Sequence, residues 1–498
     1  MTAMTHGLSR LDRLMFECLN NHALNDPAVL PQTFGYLLGP NEITGNLSKQ
    51  AIVNAFDALV ETMRTTNQVD GPADAGMTFF GQFIDHDVTF DATSAIGSKI
   101  DPRSIRNVRT PGLDLDCVYG DGPGASPHLY SSNPKLHGFM LFGREGSPND
   151  LPRNCEGVAL IGDPRNDENI LISQVHGAFI ALHNILMSHF KNDQSAQEDI
   201  RHCAAMSVRS EVWHDVVPSR SQIFEHVRRF IRLHYQWLVL HDFLPSFVDP
   251  DVIEAVLDRD PFGDQGPIMP AEFSVAAFRF GHSTVRPSYD LSPSKAGIDL
   301  FDRVMIGAGW RGSDLDIEMG RFFSAGGTPA QKALPVGPKI AATLFDLPDH
   351  VVKDPLMWGE LEIKVERAKK LALRNILRDR TAIRIASGQQ MARHLRIRAL
   401  PTPEVLKDHH IDKTPLWFYC LQEAGEKGNG RLTGVGGALV ASVIVRLLKL
   451  DPESVLNTPG FVPWSGFGEN FSMGALMHFV ETHRDGIPER EDLYCKQP

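Results

Sequence analysis

Gly81-Gln82-Phe83-Ile84-Asp85-His86-Asp87 (GQFIDHD) sets one histidine between two aspartates on a stretch that is otherwise largely apolar. A histidine flanked this way is costly to bury and useful once buried, because its charge is tunable near neutral pH. The adjoining carboxylates offer oxygen to a hard cation or to a cofactor. Alone, the heptapeptide is only suggestive. Three distant segments give it meaning.

The second segment is Gly162 to Asn169 (GDPRNDEN), directly before a strongly apolar, helix-periodic stretch. Asp167 and Glu168 suit a helix start through the helix dipole alone. Arg165, in a turn that opens an apolar helix, is less easily explained by capping and can be aimed into a cavity. The third, Ala277 to His282 (AFRFGH), holds a histidine that in isolation reads as a satisfied core residue. The fourth, Arg374 to Arg380 (RNILRDR), in isolation reads as a solvated basic face.

Composition narrows the class. The 498 residues are 42% hydrophobic and 22% charged, as in a globular chain with room for a large core. A net charge of −12 speaks against nucleic acid or an anionic membrane as the main partner. The six cysteines are scattered with no CxxC, so neither a cysteine zinc site nor a disulfide framework is indicated. Met1 to His22 does not read as a secretory leader, and the apolar run Val435 to Val445 is too short to span a bilayer. The default expectation is a cytoplasmic protein with no transmembrane segment; its oligomeric state stays open.

Apolar residues recur at helical spacing over Asn169–Phe190, Ile223–Leu244 and Glu360–Leu377. Asp101 to Asn149 is Pro/Gly/Asp-rich, and Pro401 to Lys413 reads as a linker before helix near Leu416. The expected fold class is mainly α, one helical unit with long ordered loops and little β. Residues 1–70 would be an extension packed on, or leading into, a catalytic unit of residues 71–498.

In order along the chain, these segments resemble the animal-type haem peroxidases of the peroxidase–cyclooxygenase superfamily, especially its bacterial members. The family's GQ-x-x-DHD is met by GQFIDHD, and its R-x-x-E by Arg165 to Glu168. Its FR-[FY]-GH is met by Phe278 to His282, and its N-x-x-R by Asn375 and Arg378. A fifth stretch, Thr110 to Gly120 (TPGLDLDCVYG), resembles the family's calcium loop, which ends in VYG.

The resemblance implies a haem b enzyme that reduces hydrogen peroxide to water through a ferryl haem radical. A small reducing substrate then gives up electrons: iodide, bromide, thiocyanate or a phenol-like donor. His282 would be the iron ligand with Asn375 as its hydrogen-bond acceptor, His86 the distal acid–base, Arg165 the distal cation and Gln82 a cavity residue. Arg279 and Arg378 would meet the propionates, and Asp85 and Glu168 match carboxylates that can esterify haem methyls. Asn169 stands where a methionine would make a further link, which implies a weaker oxidant than the members that have it. Ca2+ would be held by Asp87, Thr110, Asp114 and Asp116 with the Gly112 carbonyl. Superfamily fatty-acid dioxygenases carry a radical tyrosine three residues before the iron-binding histidine; here that residue is Arg279. A haem-binding protein without turnover would need neither His86 nor Arg165. His176 and His183, seven apart on one helix, read as core residues rather than a metal pair.

Overall fold

The computed structural model describes residues 34–39, 41, 44–89, 112–193, 195, 197–200, 220–263, 268–307 and 309–495. Helices dominate, and strand among these residues is confined to four two-stranded ribbons of two or three residues per strand. The longer helices used below are α1 (Lys49–Glu61), α2 (Ala75–Val88), α3 (Ile170–Asn192), α4 (Arg220–Leu238), α5 (Leu371–Leu377), α6 (Leu416–Lys427), α7 (Gly434–Leu450) and α8 (Met473–His483).

Helix α3 is the centre of the molecule. Asn169 caps it by accepting from the Ile172 amide at 2.9 Å, and almost every side chain from Ile170 to Phe190 is buried. By length and composition α3 could cross a membrane, yet 94% of its most apolar window is buried inside the protein. Apolar on all sides, it is sheathed by α2, α4 and α8. Phe83 of α2 stacks on Phe179 of α3 at 5.1 Å, and Tyr235 of α4 meets both rings edge-on. Such aromatic pairs fix relative helix position as well as burying area.

Helix α2 needs two glycines for its close neighbours. A Cβ on Gly76 would lie 2.6 Å from the Phe322 carbonyl oxygen, and one on Gly81 would lie 2.8 Å from the Phe243 ring. Phe243 ends a π-helical turn, Val239–Phe243, that continues α4. The expected single helix from Ile223 to Leu244 is therefore α4 plus this wider turn. π-turns of this kind occur often at functional sites, because they shift side chains out of α-helical register.

The Glu360–Leu377 expectation is corrected. Leu356–Trp358 and Leu361–Ile363 pair as an antiparallel hairpin, with Gly359 at φ 62° in its turn. One helical turn, Val365–Ala368, follows, and α5 begins only at Leu371. The interruption has a tertiary cause: Lys370 is extended (ψ 105°), and its ammonium pairs with Asp57 at 2.6 Å and Glu61 at 2.7 Å on α1. Helix α1 thus braces α5, which carries Asn375. Nearby, Phe34–Gly35 pairs with Met269–Pro270, and the Glu272 carboxylate accepts from the Leu37 amide at 3.0 Å. The described part of the first seventy residues is packed into the helical body.

Gly162 joins two loops that matter below. A Cβ there would fall 2.5 Å from the Cys117 carbonyl oxygen and 2.7 Å from that of Asp116. These are backbone atoms, so relief requires the loops to separate. Gly162→Ala should cost about 1–3 kcal/mol of stability, read as a lower melting midpoint by circular dichroism. An unchanged midpoint would mean the two loops are not tightly apposed.

Candidate functional site

One cavity of about 400 Å³ collects residues from widely separated parts of the chain. Gln82, Asp85 and His86 reach it from α2, Glu168 from the turn before α3, and Arg279 and His282 from the 3-10 helix Ala277–Ser283. The remaining wall is apolar, including Phe243, Leu300, Phe301, Leu344, Leu347 and Val351. The two histidine-bearing walls are stitched by a hydrogen bond between the Thr78 and Thr284 hydroxyls at 2.8 Å.

His86 is 5% exposed and lies in the last turn of α2. Its Nδ1 sits 2.8 Å from the Asn166 side-chain oxygen. An amide oxygen only accepts, so Nδ1 carries the proton and Nε2 keeps its lone pair. Burial, and then the Arg165 charge, push His86 down to about 4, against the opposing pull of Asp85 and the Asn166 bond. The ring is therefore neutral near pH 7. That is the state a distal base requires.

Arg165 departs from expectation. It does not line the cavity. Its guanidinium pairs with Asp163 at 2.8 Å and donates to the His86 carbonyl at 3.0 Å and the Thr89 carbonyl at 2.7 Å. Asp163, fully buried, also caps the 3-10 turn Pro164–Asp167 by accepting from the Arg165 amide. A carboxylate two residues before the arginine captures it locally. Arg165 acts on His86 from behind rather than from within the cavity.

Gln82 and Glu168 are brought together: the Gln82 amide donates to the Glu168 carboxyl and accepts from Asn169 at 3.2 Å. Enclosure by protein raises Glu168 to about 7, assisted by Asp163 and Asp85 and opposed by Arg165 and Gln82. Asp85, the other candidate attachment carboxyl, accepts from the Thr89 hydroxyl at 3.1 Å.

On the other wall, His282 Nδ1 lies 2.8 Å from the Asn375 amide nitrogen. Burial, then Arg279 and Arg378, drive His282 down to about 3. Arg378 does not line the cavity but lies close enough for its charge to reach this ring. It opens a second π-helical turn, Arg378–Ile383, that continues α5. Trp417 of α6 donates to the Arg279 carbonyl at 3.1 Å and so anchors the 3-10 segment.

Beside His86, the Asp87, Asp114 and Asp116 carboxylates converge, each offering an oxygen within 4.8 Å of the others, and all three are buried. Leu113 and Leu115 hold left-handed φ of 49° and 61°, which leucine adopts only at a cost. Burial, then Asp114 and Asp116, push Asp87 well above the ordinary carboxylate range. Three carboxylates this close and this dry cannot all ionise without a counter-charge. Among the described residues Asp87 Oδ1 has no hydrogen-bond partner, and the loop backbone turns Gly112 and Leu113 carbonyls toward Gln236 at 3.4 and 3.2 Å. The donor set is all hard oxygen, which fits Ca2+. Thr110, the remaining expected ligand, lies outside the described residues.

The cavity also fits a haem: imidazole for iron, an arginine for a carboxylate-bearing edge, and apolar walls for the rest of the ring. No tyrosine lines it among the described residues. His176 and His183 are core residues, as read; His183 Nε2 is 2.8 Å from the Gly138 carbonyl and Nδ1 is 3.2 Å from the Tyr119 hydroxyl. Asn166 and Asp163 were missed, since nothing in GDPRNDEN says which polar residue faces which neighbour.

Comparison with known proteins agrees with this geometry. Residues 92–302 match the family model described as animal haem peroxidase. Thyroid peroxidase of Mus musculus is 26% identical over 210 residues, covering 38% of this chain and 20% of that protein. The Homo sapiens protein is 24% identical over 212 residues with the same coverage. The match thus spans about a fifth of the length of these relatives.

Among solved structures, peroxidase A from Dictyostelium discoideum superposes with TM-score 0.55 at 14% identity, covering 95% of both chains. Fatty acid alpha-dioxygenase of Arabidopsis thaliana gives 0.56 at 12%, covering 98% of this chain and 88% of that one. At such identities the likeness is one of fold. With the thyroid peroxidase relatives, the family match shows that residues 92–302 are similar to the animal haem peroxidases.

Proposed function

We propose that the protein is a peroxidase that reduces hydrogen peroxide to water and oxidises a small anion, such as iodide, bromide or thiocyanate, or a phenol-like donor. The observation that carries this reading is the state of His86: neutral, with Nδ1 committed to Asn166 and Nε2 left as a base in a cavity that also holds His282. Haem bound here would supply the redox centre that accepts oxidation from peroxide and passes it to the donor.

His86 Nε2 takes the proton from peroxide and returns it to the departing oxygen, so that water leaves. Arg165 keeps His86 neutral through its charge and holds the end of α2 through two carbonyls. Direct contact with the departing oxygen would require its guanidinium to leave Asp163. His282 would hold the iron, and Arg279 and Arg378 would balance the negative edge of the ring. Asp85 and Glu168 are the candidate ester positions; an ester there would form with peroxide as oxidant, a ring methyl giving up a hydrogen to make the C–O bond. Ca2+ held by the Asp87 loop would fix the C-terminal end of α2 next to His86. The dioxygenase reading is disfavoured because Arg279 stands where the radical tyrosine is needed; oxygen uptake with an unsaturated fatty acid and no peroxide would reverse it.

His86→Ala should lower the rate of reaction with peroxide by about 10²–10⁴-fold while leaving the Soret band of bound haem in place. A rate within threefold of the parent would exclude His86 as the base.

The pH profile follows from the lowered His86 value of about 4. Because the neutral form is active and the shift is downward, the rate should hold from pH 7 to about 5 and fall as pH drops through about 4. Stopped-flow traces showing loss near 6.5 would indicate an ordinary, unshifted imidazole.

Calcium removal offers an independent check. A site held a hundredfold above its Kd contributes about 2.7 kcal/mol of stability, so EGTA should lower the melting midpoint. Asp114→Ala should reproduce that loss and abolish the response to EGTA. A midpoint indifferent to EGTA would sink the calcium assignment.

A further inference from the structure

We propose that Asn166 is a positioning residue that sets the tautomer of His86, and that His176 in turn sets the orientation of Asn166. The consequence for turnover rests on the peroxidase reading above; the tautomer assignment does not. Asn166 is fully buried, does not line the cavity, and stands behind His86 on the 3-10 turn Pro164–Asp167. Its Oδ1 is 2.8 Å from His86 Nδ1, and its Nδ2 is 3.0 Å from His176 Nδ1. The amide has one accepting and one donating end, so the two rings must complement it in opposite senses. His86 donates through Nδ1–H. His176 accepts at Nδ1.

The opposite amide orientation would present a donor to His86 and force its proton onto Nε2. The cavity-facing nitrogen would then be unable to take a proton from peroxide. His176 opposes that state because the reversed amide would present an oxygen to its Nδ1, so both rings would have to change tautomer together. It is itself rigid, being fully buried on α3 with Phe83 packed edge-on against its ring at 6.1 Å.

The order Asn166-Asp167 matters for the same reason. Asp167 Oδ2 and Oδ1 are taken by Arg153 Nη1 and Nη2 at 2.6 and 2.9 Å, and its Oδ1 pairs with Arg311 at 3.1 Å. The charge is thereby turned away from His86, and a neutral acceptor is turned toward it. A carboxylate in the place of Asn166 would keep the tautomer but hold a proton on the ring more firmly. The amide orients without making the imidazole strongly basic.

The test uses the full chain and the variants Asn166→Leu and Asn166→Asp. With 15N-labelled histidine, and His86→Gln to assign the signal, His86 in the haem-free protein should report a protonated Nδ1. That signature should be lost in Asn166→Leu and retained in Asn166→Asp. In the haem-loaded protein, association of cyanide requires a distal base to take the proton from hydrogen cyanide. Its rate and the second-order rate with peroxide should both fall at least tenfold in Asn166→Leu, with haem content within twofold.

Asn166→Asp should recover most of the cyanide rate, which loss of packing alone would not explain. Should Asn166→Leu fail to fold, His176→Phe carries the test: it keeps a ring and removes the acceptor, and should lower the cyanide rate by about three- to tenfold. The proposal is overturned by a His86 carrying its proton on Nε2 in the parent protein, or by cyanide rates unchanged in the folded variants. If the Nδ1–H signature behaves as stated but the parent protein shows no peroxide turnover, the tautomer assignment stands and the peroxidase reading falls.

Discussion

The buried ion pair between Arg153 and Asp167 is the constraint on which the distal side of the site depends. The arginine side chain is 0% exposed and the aspartate 3%. Removing two charges from water costs several kcal/mol per ion, and only near-complete pairing offsets it. Here pairing is nearly complete: Arg153 is bidentate on Asp167, its Nε meets Asp150 at 3.0 Å, its Nη1 meets the Gly157 carbonyl, and Arg311 adds a second cation on Asp167. Such a cluster gives little net stability compared with apolar packing, but it permits very few geometries. It therefore fixes the turn Pro164–Asp167, and with it Arg165, Asn166 and the following Glu168.

Because that turn is a tight 3-10 helix, successive side chains leave it in different directions. Arg165 goes to the end of α2, Asn166 to His86 and His176, Asp167 to Arg153 and Arg311, and Glu168 into the cavity. Four residues thus perform four separate tasks with no flexible segment among them. A second constraint acts from the other side of α2, where three converging carboxylates adjoin His86. Left-handed Leu113 and Leu115 would be a needless strain in a plain surface loop. They bring Asp114 and Asp116 to Asp87, and a cation would convert that repulsion into attraction.

These relations explain what could and could not be read from sequence. GQFIDHD, AFRFGH and the Asn375–Arg378 spacing were legible through their joint resemblance to the animal-type haem peroxidases, since AFRFGH and RNILRDR in isolation read as core and as a solvated face. The helix α3 was legible because its apolar pattern is uninterrupted. The break before α5 was not, since it depends on Lys370 reaching Asp57 and Glu61 some three hundred positions earlier. Likewise the sequence places Arg165 near the site without stating whether Asp163 or the cavity holds its guanidinium. Asn166 reads as an unremarkable turn residue until His86 and His176 appear on either side of it. Position along the chain identifies candidates; their partners emerge only from tertiary packing.

The two cavity histidines show how far partners matter, since both are neutral at pH 7 and each meets an asparagine through Nδ1. At His86 the amide presents its oxygen, so the proton lies on Nδ1 and Nε2 is a base. At His282 the amide of Asn375 presents its nitrogen, which leaves the lone pair on Nδ1 and the proton on Nε2. Iron ligation through Nε2 needs the reverse arrangement, with Nδ1–H donating to an acceptor. A half-turn of the Asn375 amide supplies it at the same separation, exchanging donor for acceptor. A half-turn of Asn166 would require His176 to shift its own proton to Nδ1 at the same time, because the one amide faces both rings. The same residue type therefore couples the tautomers of two rings behind the distal wall and meets the ring of His282 on the proximal side.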